Sequence, residues 1–84
     1  IEAMADGAVA EGMSRKKAYE FAAQAVRGSA KMILETGMHP GELKDMVCSP
    51  AGTTIEGVGV LERKGMRSAV TDCIRACVKK TREL

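Results

Sequence analysis

The fold class is decided by residues 14–37, which read SRKKAYEFAAQAVRGSAKMILETG. Apolar side chains in this stretch recur three or four residues apart, as they do along one face of an amphipathic α-helix. That face comprises Tyr19, Ala22, Ala23, Val26, Ala30 and Ile33. Ser14 suits the N-cap, and Gly37 suits the left-handed residue that often follows a helix. The stretch therefore predicts one long helix from Arg15 to about Thr36.

Helical spacing continues on both sides of this stretch. Residues 1–12 predict a first helix that Gly12 stops. Pro40 suits the first turn of a short third helix, because the N–H that it lacks is not needed there. The turn-forming residues 48–54 then lead into a fourth helix. Gly65 separates that helix from a fifth, which runs over about 66–82.

The prediction for the whole chain is an all-α fold of five helices, since no stretch alternates with a period of two and no internal repeat is present. Gly57 and Gly59 lie inside the fourth helix, where each costs about 1 kcal/mol relative to Ala. Glycines at such positions usually allow another helix or a ligand to come close. We therefore expect a close contact at both.

The size of the chain predicts a partner. Its 84 residues and 8.9 kDa allow one domain, over residues 1–84, and aromatic side chains make up only 2% of it. A compact chain of this mass would expose roughly 4,800 Å². A core of mostly small side chains is marginal at this size, so we expect the chain to complete its core with a second copy or with a missing segment.

Charge and cysteine content argue against several functional classes. The net charge of +2 is too balanced to indicate a nucleic-acid surface. Basic residues at 15–17 and 79–82 nevertheless leave a stand-alone helical interaction or DNA-binding module as the alternative function. Three cysteines without a repeated CxxC pattern favour a reducing compartment. Cys73 and Cys77 share one helix face, where we expect core packing rather than a metal site.

Residues 49–54 are the one segment with the chemistry of a binding site. Backbone N–H groups at the positive end of the fourth helix suit a carboxylate or a phosphate. The hydroxyls of Ser49, Thr53 and Thr54 add further hydrogen-bonding groups. A simple N-cap role for Thr53 or Thr54 is the alternative.

His39 and Cys48 are the reactive side chains closest to this segment in sequence. His39 directly precedes a proline and has no carboxylate at helical spacing, so a turn or capping role is expected. Cys48 has no base nearby in sequence that would activate it as a nucleophile. The chain also lacks a dinucleotide-binding glycine motif, a phosphate-binding P-loop and zinc-ligand spacing.

Three motifs, in order along the chain, resemble one known family. They read HPGELKD at residues 39–45, VCSPAGTTI at 47–55 and VLE at 60–62. Together with similar segments at 2–7, 12–15 and 80–84, they resemble the C-terminal domain of the Δ1-pyrroline-5-carboxylate reductases over essentially the whole chain. Several motifs in the right order make a chance match improbable.

The resemblance implies a fold, an activity and a partner. The implied fold is an interleaved helical dimer, as in 6-phosphogluconate-dehydrogenase-like reductases. In many members of the family this dimer assembles further into larger rings. The implied activity is reduction of pyrroline-5-carboxylate to L-proline by NADPH or NADH, which is the last step of proline biosynthesis. The implied location is the cytoplasm or, in some eukaryotes, the mitochondrion. The family's Rossmann domain precedes this region. We therefore expect the chain to be a fragment that is inactive alone.

The resemblance also implies site residues. Those implied to bind the substrate carboxylate are Ser49, Gly52, Thr53 and Thr54. Met46 and Val47 are implied to lie near the cofactor, while no residue is implied as a catalytic group or a metal ligand. Ala51 departs from the family, which usually has glycine at this position of the loop.

Overall fold

The computed structural model describes all 84 residues and contains five α-helices joined by short turns. The helices are α1 (Glu2–Ala10), α2 (Arg15–Thr36), α3 (Pro40–Val47), α4 (Thr53–Arg63) and α5 (Met66–Arg82). The predicted all-α fold of five helices is therefore confirmed. The chain divides into two compact units, Ile1–Leu43 and Lys44–Leu84.

The helix ends follow from residues that the sequence singled out. Ser14 is the N-cap of α2 with an extended backbone, and Gly37 ends the helix in the left-handed conformation at φ 69°. Pro40 is the first residue of α3, as predicted. The first helix ends at Ala10 rather than at about Gly12, because the chain turns there and Gly12 takes φ 110°.

In the first unit, α1 packs against α2 through alanines. Ala5, Ala18 and Ala22 are the buried residues, and the partly buried Ala8 and Val9 pack against them. Side chains this small allow the two helix backbones to approach closely. The core of this unit is consequently narrow.

The predicted apolar face of α2 is only partly correct. Ala22 is buried and Ile33 is half-buried, but the other four members are exposed, namely Tyr19, Ala23, Val26 and Ala30. The physical reason is that α1 covers only the side of α2 on which Ala18 and Ala22 lie. Most of the apolar face of α2 remains uncovered within the unit.

An exposed ion pair also joins α1 to the start of α2. The guanidinium of Arg15 donates a hydrogen bond to the carboxylate of Asp6, and it lies 5.8 Å from the centre of the Tyr19 ring. The hydrogen bond to Asp6 raises the pKa of Arg15 above its ordinary value. Both charged side chains are more than half exposed, so the pair adds little to stability.

Enlarging a buried alanine should separate α1 from α2. We expect Ala18→Leu to lower the free energy of unfolding by about 1–3 kcal/mol, because Ala18 is buried and a larger side chain overpacks the contact between α1 and α2. Urea unfolding followed by circular dichroism measures this. Ala10→Leu, at an exposed position of α1, is the control and should change the value by less than about 0.5 kcal/mol. An equally small effect of both substitutions would contradict a close contact at Ala18.

The second unit has no core of its own. None of residues 44–84 is buried. Large apolar side chains of α4 and α5 are exposed instead, namely Ile55, Val60, Leu61, Met66, Val70, Ile74 and Val78. Cys73 and Cys77 are exposed as well, so the expectation that they pack in a core is wrong for the single chain. The helices of this unit require a covering surface from elsewhere.

The glycines of α4 meet no other helix of this chain. A β-carbon at Gly57 would have no atom within 4 Å, and one at Gly59 would meet only the Arg63 guanidinium, at 3.4 Å. The close contact expected at these glycines is therefore absent from the single chain. They leave open surface on α4.

None of the helices combines the length and the apolar character needed to cross a membrane.

Candidate functional site

The loop between α3 and α4 is built around one tight turn. Ser49, Pro50, Ala51 and Gly52 form it, and the Gly52 N–H donates a hydrogen bond to the Ser49 carbonyl over 3.1 Å. Pro50, with its fixed φ, suits the second position of such a turn. The turn brings Ser49 directly beside the start of α4.

Gly52 is the N-cap of α4, with an extended backbone at φ −80° and ψ 178°. No side chain caps this helix. The alternative that Thr53 or Thr54 serves only as its cap is therefore wrong, because both residues lie inside the first turn. The hydroxyls of Ser49, Thr53 and Thr54 donate to no group of the chain.

Three backbone donors at the start of α4 are free. The first hydrogen bond of the helix is donated by Glu56 to the Gly52 carbonyl, over 3.4 Å. The N–H groups of Thr53, Thr54 and Ile55 consequently have no acceptor in the chain. Free N–H groups at a helix N-terminus, together with the helix dipole, attract an anion. The sequence had indicated this chemistry but not that Ile55 supplies one of the donors.

Ser49 also limits the space around Gly52. A β-carbon at this position would overlap the Ser49 hydroxyl oxygen and lie 3.3 Å from the Ser49 carbonyl oxygen. The Ser49 hydroxyl therefore occupies the space beside the N-cap. The structure thus places all four residues expected to bind a carboxylate, Ser49, Gly52, Thr53 and Thr54, within one turn and the first residues of α4.

The backbone conformation of Ala51 is the feature of this loop that sequence reasoning missed. It is the only residue other than glycine with a positive φ, at 57°. Turns that need a positive φ at their third position usually place glycine or asparagine there, and the left-handed conformation costs other residues roughly 1–2 kcal/mol. The signal available in the sequence was the Pro50-Ala51-Gly52 order, in which alanine takes the third position of a proline turn.

The other candidate residues lie just before the loop. Met46 and Val47 are in the last turn of α3, where their side chains are 69% and 62% exposed. His39 has the expected capping role, because its Nδ1 accepts a hydrogen bond of 2.9 Å from the Gly41 N–H at the start of α3. Cys48 is half-buried. No three histidine, cysteine or acidic side chains cluster as metal ligands.

Comparison with known proteins decides the family. The model of the pyrroline-5-carboxylate reductase dimerisation family matches residues 1–84. The chain belongs to this family. The resemblance identified from the motifs is thereby confirmed.

Pyrroline-5-carboxylate reductases are similar in sequence to this chain over its whole length. The pyrroline-5-carboxylate reductase of Escherichia coli (strain K12) is 67% identical over 84 residues, which are 100% of this chain and 31% of that protein. The chain thus spans about a third of the length of this relative.

Solved structures agree in fold. The 1-pyrroline-5-carboxylate reductase of Streptococcus pyogenes matches with a TM-score of 0.94 and 36% identity, covering 99% of this chain and 32% of that one. Pyrroline carboxylate reductase from Plasmodium falciparum, solved with NADP bound, matches with a TM-score of 0.89 and 29% identity, over 94% of this chain and 30% of that one. The five helices of the dimerisation domain are therefore those of the C-terminal domain of such reductases.

Proposed function

We propose that this chain is the dimer-forming and substrate-carboxylate-binding part of an NAD(P)H-dependent reductase that converts Δ1-pyrroline-5-carboxylate to L-proline. The observation that carries the proposal is the set of free N–H groups at Thr53, Thr54 and Ile55, beside hydroxyls that donate to no group of the chain. Such donors suit the carboxylate that pyrroline-5-carboxylate carries. Membership of the dimerisation family supplies the reaction.

The chain's own contribution is to fix the substrate in place. With its carboxylate held at the start of α4 by N–H groups and by the hydroxyls of Ser49 and Thr54, the ring of the substrate is oriented and its C=N bond is kept in one position. Positioning of this kind accelerates a reaction without a protein nucleophile. When bound, a nicotinamide cofactor would supply the hydride for the carbon of this C=N bond, and a proton would complete the amine of proline.

Met46 and Val47 suit contact with the cofactor. They present exposed apolar side chains in the turn of α3 that precedes the carboxylate loop, and the face of a nicotinamide ring is largely apolar. Neither side chain carries a charge that would select NADPH over NADH. We therefore assign to these two residues contact with the nicotinamide ring, and not recognition of the additional phosphate that distinguishes NADPH from NADH.

A second copy of the chain completes the core. None of residues 44–84 is fully buried, and large apolar side chains of α4 and α5 are exposed. A symmetric partner presents the same apolar surfaces, so each copy covers the other. The homodimer accounts for the exposed faces of α2, α4 and α5 together.

A chimera tests the proposed activity. Residues 1–84 replace the matching part of the Escherichia coli relative, and oxidation of NADPH is measured with and without pyrroline-5-carboxylate. We expect substrate-dependent turnover with kcat/KM within about tenfold of the parent, equivalent to ~1.4 kcal/mol of transition-state free energy. The 84-residue chain alone should show no turnover. A folded chimera without activity, or turnover by the chain alone, would contradict the proposal.

A further inference from the structure

His39 accepts every hydrogen bond that the first turn of α3 donates. Its Nδ1 accepts from the Gly41 N–H over 2.9 Å, and its carbonyl accepts from the N–H groups of Glu42 and Leu43 over 3.0 and 3.1 Å. Pro40, the first residue of the helix, has no N–H to donate. One residue therefore satisfies the whole start of α3, whereas the start of α4 keeps three free donors.

The imidazole lies close against the backbone that it caps. A β-carbon at Gly41 would lie 3.1 Å from Nδ1 and 3.3 Å from Cε1 of the His39 ring. Both distances are shorter than ordinary van der Waals contact, so a side chain at position 41 would require the ring to shift. Glycine at this position thus leaves room for the ring to meet the N–H.

This cap requires the neutral form of the ring. Nδ1 accepts a hydrogen bond only while it carries no proton, which places the proton of the neutral imidazole on Nε2. A protonated imidazole donates from both nitrogens and accepts at neither. Protonation would therefore remove the hydrogen bond from the Gly41 N–H and add a positive charge at the positive end of the α3 dipole. Both effects destabilise the start of the helix.

No carboxylate of the chain compensates for that charge by an ion pair with the ring. The carboxylates of α1, α2, α3 and α4 that form ion pairs do so with lysine or arginine, and none from any helix pairs with His39. The ring is exposed, so solvent protons reach it. The charged side chains closest to it in sequence are Lys31 and Glu35, which pair in α2, Lys44 and Asp45, which pair in α3, and Glu42 in the first turn of α3.

Resting on the proposed function, we propose that His39 is a pH-sensitive positioning residue, whose neutral ring holds α3 together and thereby keeps the carboxylate loop in place for the substrate. A helix of eight residues depends on its ends for stability. Only Cys48, whose N–H donates to the Asp45 carbonyl over 3.3 Å, separates α3 from Ser49. Imidazoles change charge between about pH 5 and 8. The cap is present above this range and is lost as the pH falls, so substrate affinity should fall with it.

Replacing His39 by Asn separates capping from titration. Asparagine is a good N-cap and gains no proton in this range. In the active chimera, KM of the parent for pyrroline-5-carboxylate divided by KM of His39→Asn should be close to one at about pH 8 and should rise about two- to fivefold at about pH 5.5. Both proteins receive the same substrate at each pH, so the titration of the substrate cancels in the ratio.

His39→Ala is the variant without a cap at any pH. It should raise KM for pyrroline-5-carboxylate by about two- to fivefold already at about pH 8. In all three proteins kcat should agree within about twofold at a given pH, because the ring touches no reacting atom. Steady-state kinetics at the two pH values measures these constants.

NMR observes the cap itself. In the isotope-labelled chain, the chemical shifts of the ring nitrogens at about pH 8 should identify a neutral ring with its proton on Nε2. The protection factor of the Gly41 amide, which corrects exchange for its intrinsic pH dependence, should fall towards about pH 5.5 in the unmodified chain and stay within about twofold in His39→Asn.

The possible results lead to different conclusions. A KM ratio that does not change with pH, a ring with its proton on Nδ1, or a parent-like KM in His39→Ala at about pH 8 would each overturn the inference and leave the proposed function standing. A folded parent chimera that shows no turnover would count against the proposed function, and the positioning role of His39 would fall with it.

Discussion

Replacing Ile74 by Glu is expected to prevent the association of two copies and to remove most of the helicity of residues 44–84. Ile74 is 59% exposed on α5, between the exposed apolar side chains of Val70 and Val78. A carboxylate placed into an apolar interface costs several kcal/mol. Because none of residues 44–84 is fully buried in the single chain, we expect their helices to depend on the partner. Light scattering coupled to size-exclusion chromatography gives the mass, and far-ultraviolet circular dichroism gives the helicity.

Lys79→Glu is the matched control for this substitution. Lys79 lies on the opposite face of α5 from the apolar stripe, as the helical spacing shows. The Lys79→Glu variant also introduces a carboxylate into α5, but not at the expected interface. This variant should therefore keep its dimeric mass and its helicity. If Ile74→Glu left the chain dimeric at the same concentration, α5 would not contribute to the interface.

Removing the Thr54 hydroxyl should weaken substrate binding strongly. In the chimera, Thr54→Ala is expected to raise KM for pyrroline-5-carboxylate and to lower kcat/KM by about tenfold or more, because a hydrogen bond to a charged group contributes about 1.5–3 kcal/mol. The hydroxyl donates to no group of the chain and is available to the ligand. KM for NADPH should remain nearly unchanged. Steady-state kinetics with each substrate varied in turn measures both constants.

Thr54→Ser separates the hydroxyl from the methyl group. Serine keeps the hydrogen-bonding oxygen, so this variant should retain most of the parent kcat/KM. Equal losses in Thr54→Ser and Thr54→Ala would show that the methyl group packs at this position and that the hydroxyl does not bind substrate. Parent-like kinetics in Thr54→Ala would contradict the assigned role outright.

Local signals made the helices predictable. Residues that begin or end a helix exert their effect within one turn of the chain. Those that lie where the sequence placed them are Ser14, Gly37, Pro40 and Gly65. Such positions follow from backbone chemistry alone. The bounds of α2 and α5 therefore agree with the approximate bounds that the sequence predicts.

Packing was less predictable, because an apolar stripe does not say what covers it. The sequence placed Cys73 and Cys77 in a core, but a single chain exposes them. It also anticipated close contacts at Gly57, which the chain alone does not make. A second copy of the chain that covers the exposed apolar side chains and packs against Gly57 would account for both differences.

The candidate site was predictable in chemistry and not in conformation. A run of turn formers and hydroxyls before a helix indicated an anion-binding segment, and the structure adds that Gly52 is the cap and that the Ile55 N–H is free. The positive φ of Ala51 depends on the closure of the turn by Gly52 and Ser49. Composition and periodicity carry no information about that closure.

Equilibrium sedimentation of the unmodified chain tests the central claim most directly, namely that these helices complete their core with a second copy. The predicted result is a mass twice the 8.9 kDa of one chain, with helicity that falls on dilution as the dimer dissociates. A species of 8.9 kDa that keeps full helicity at every concentration would contradict the account.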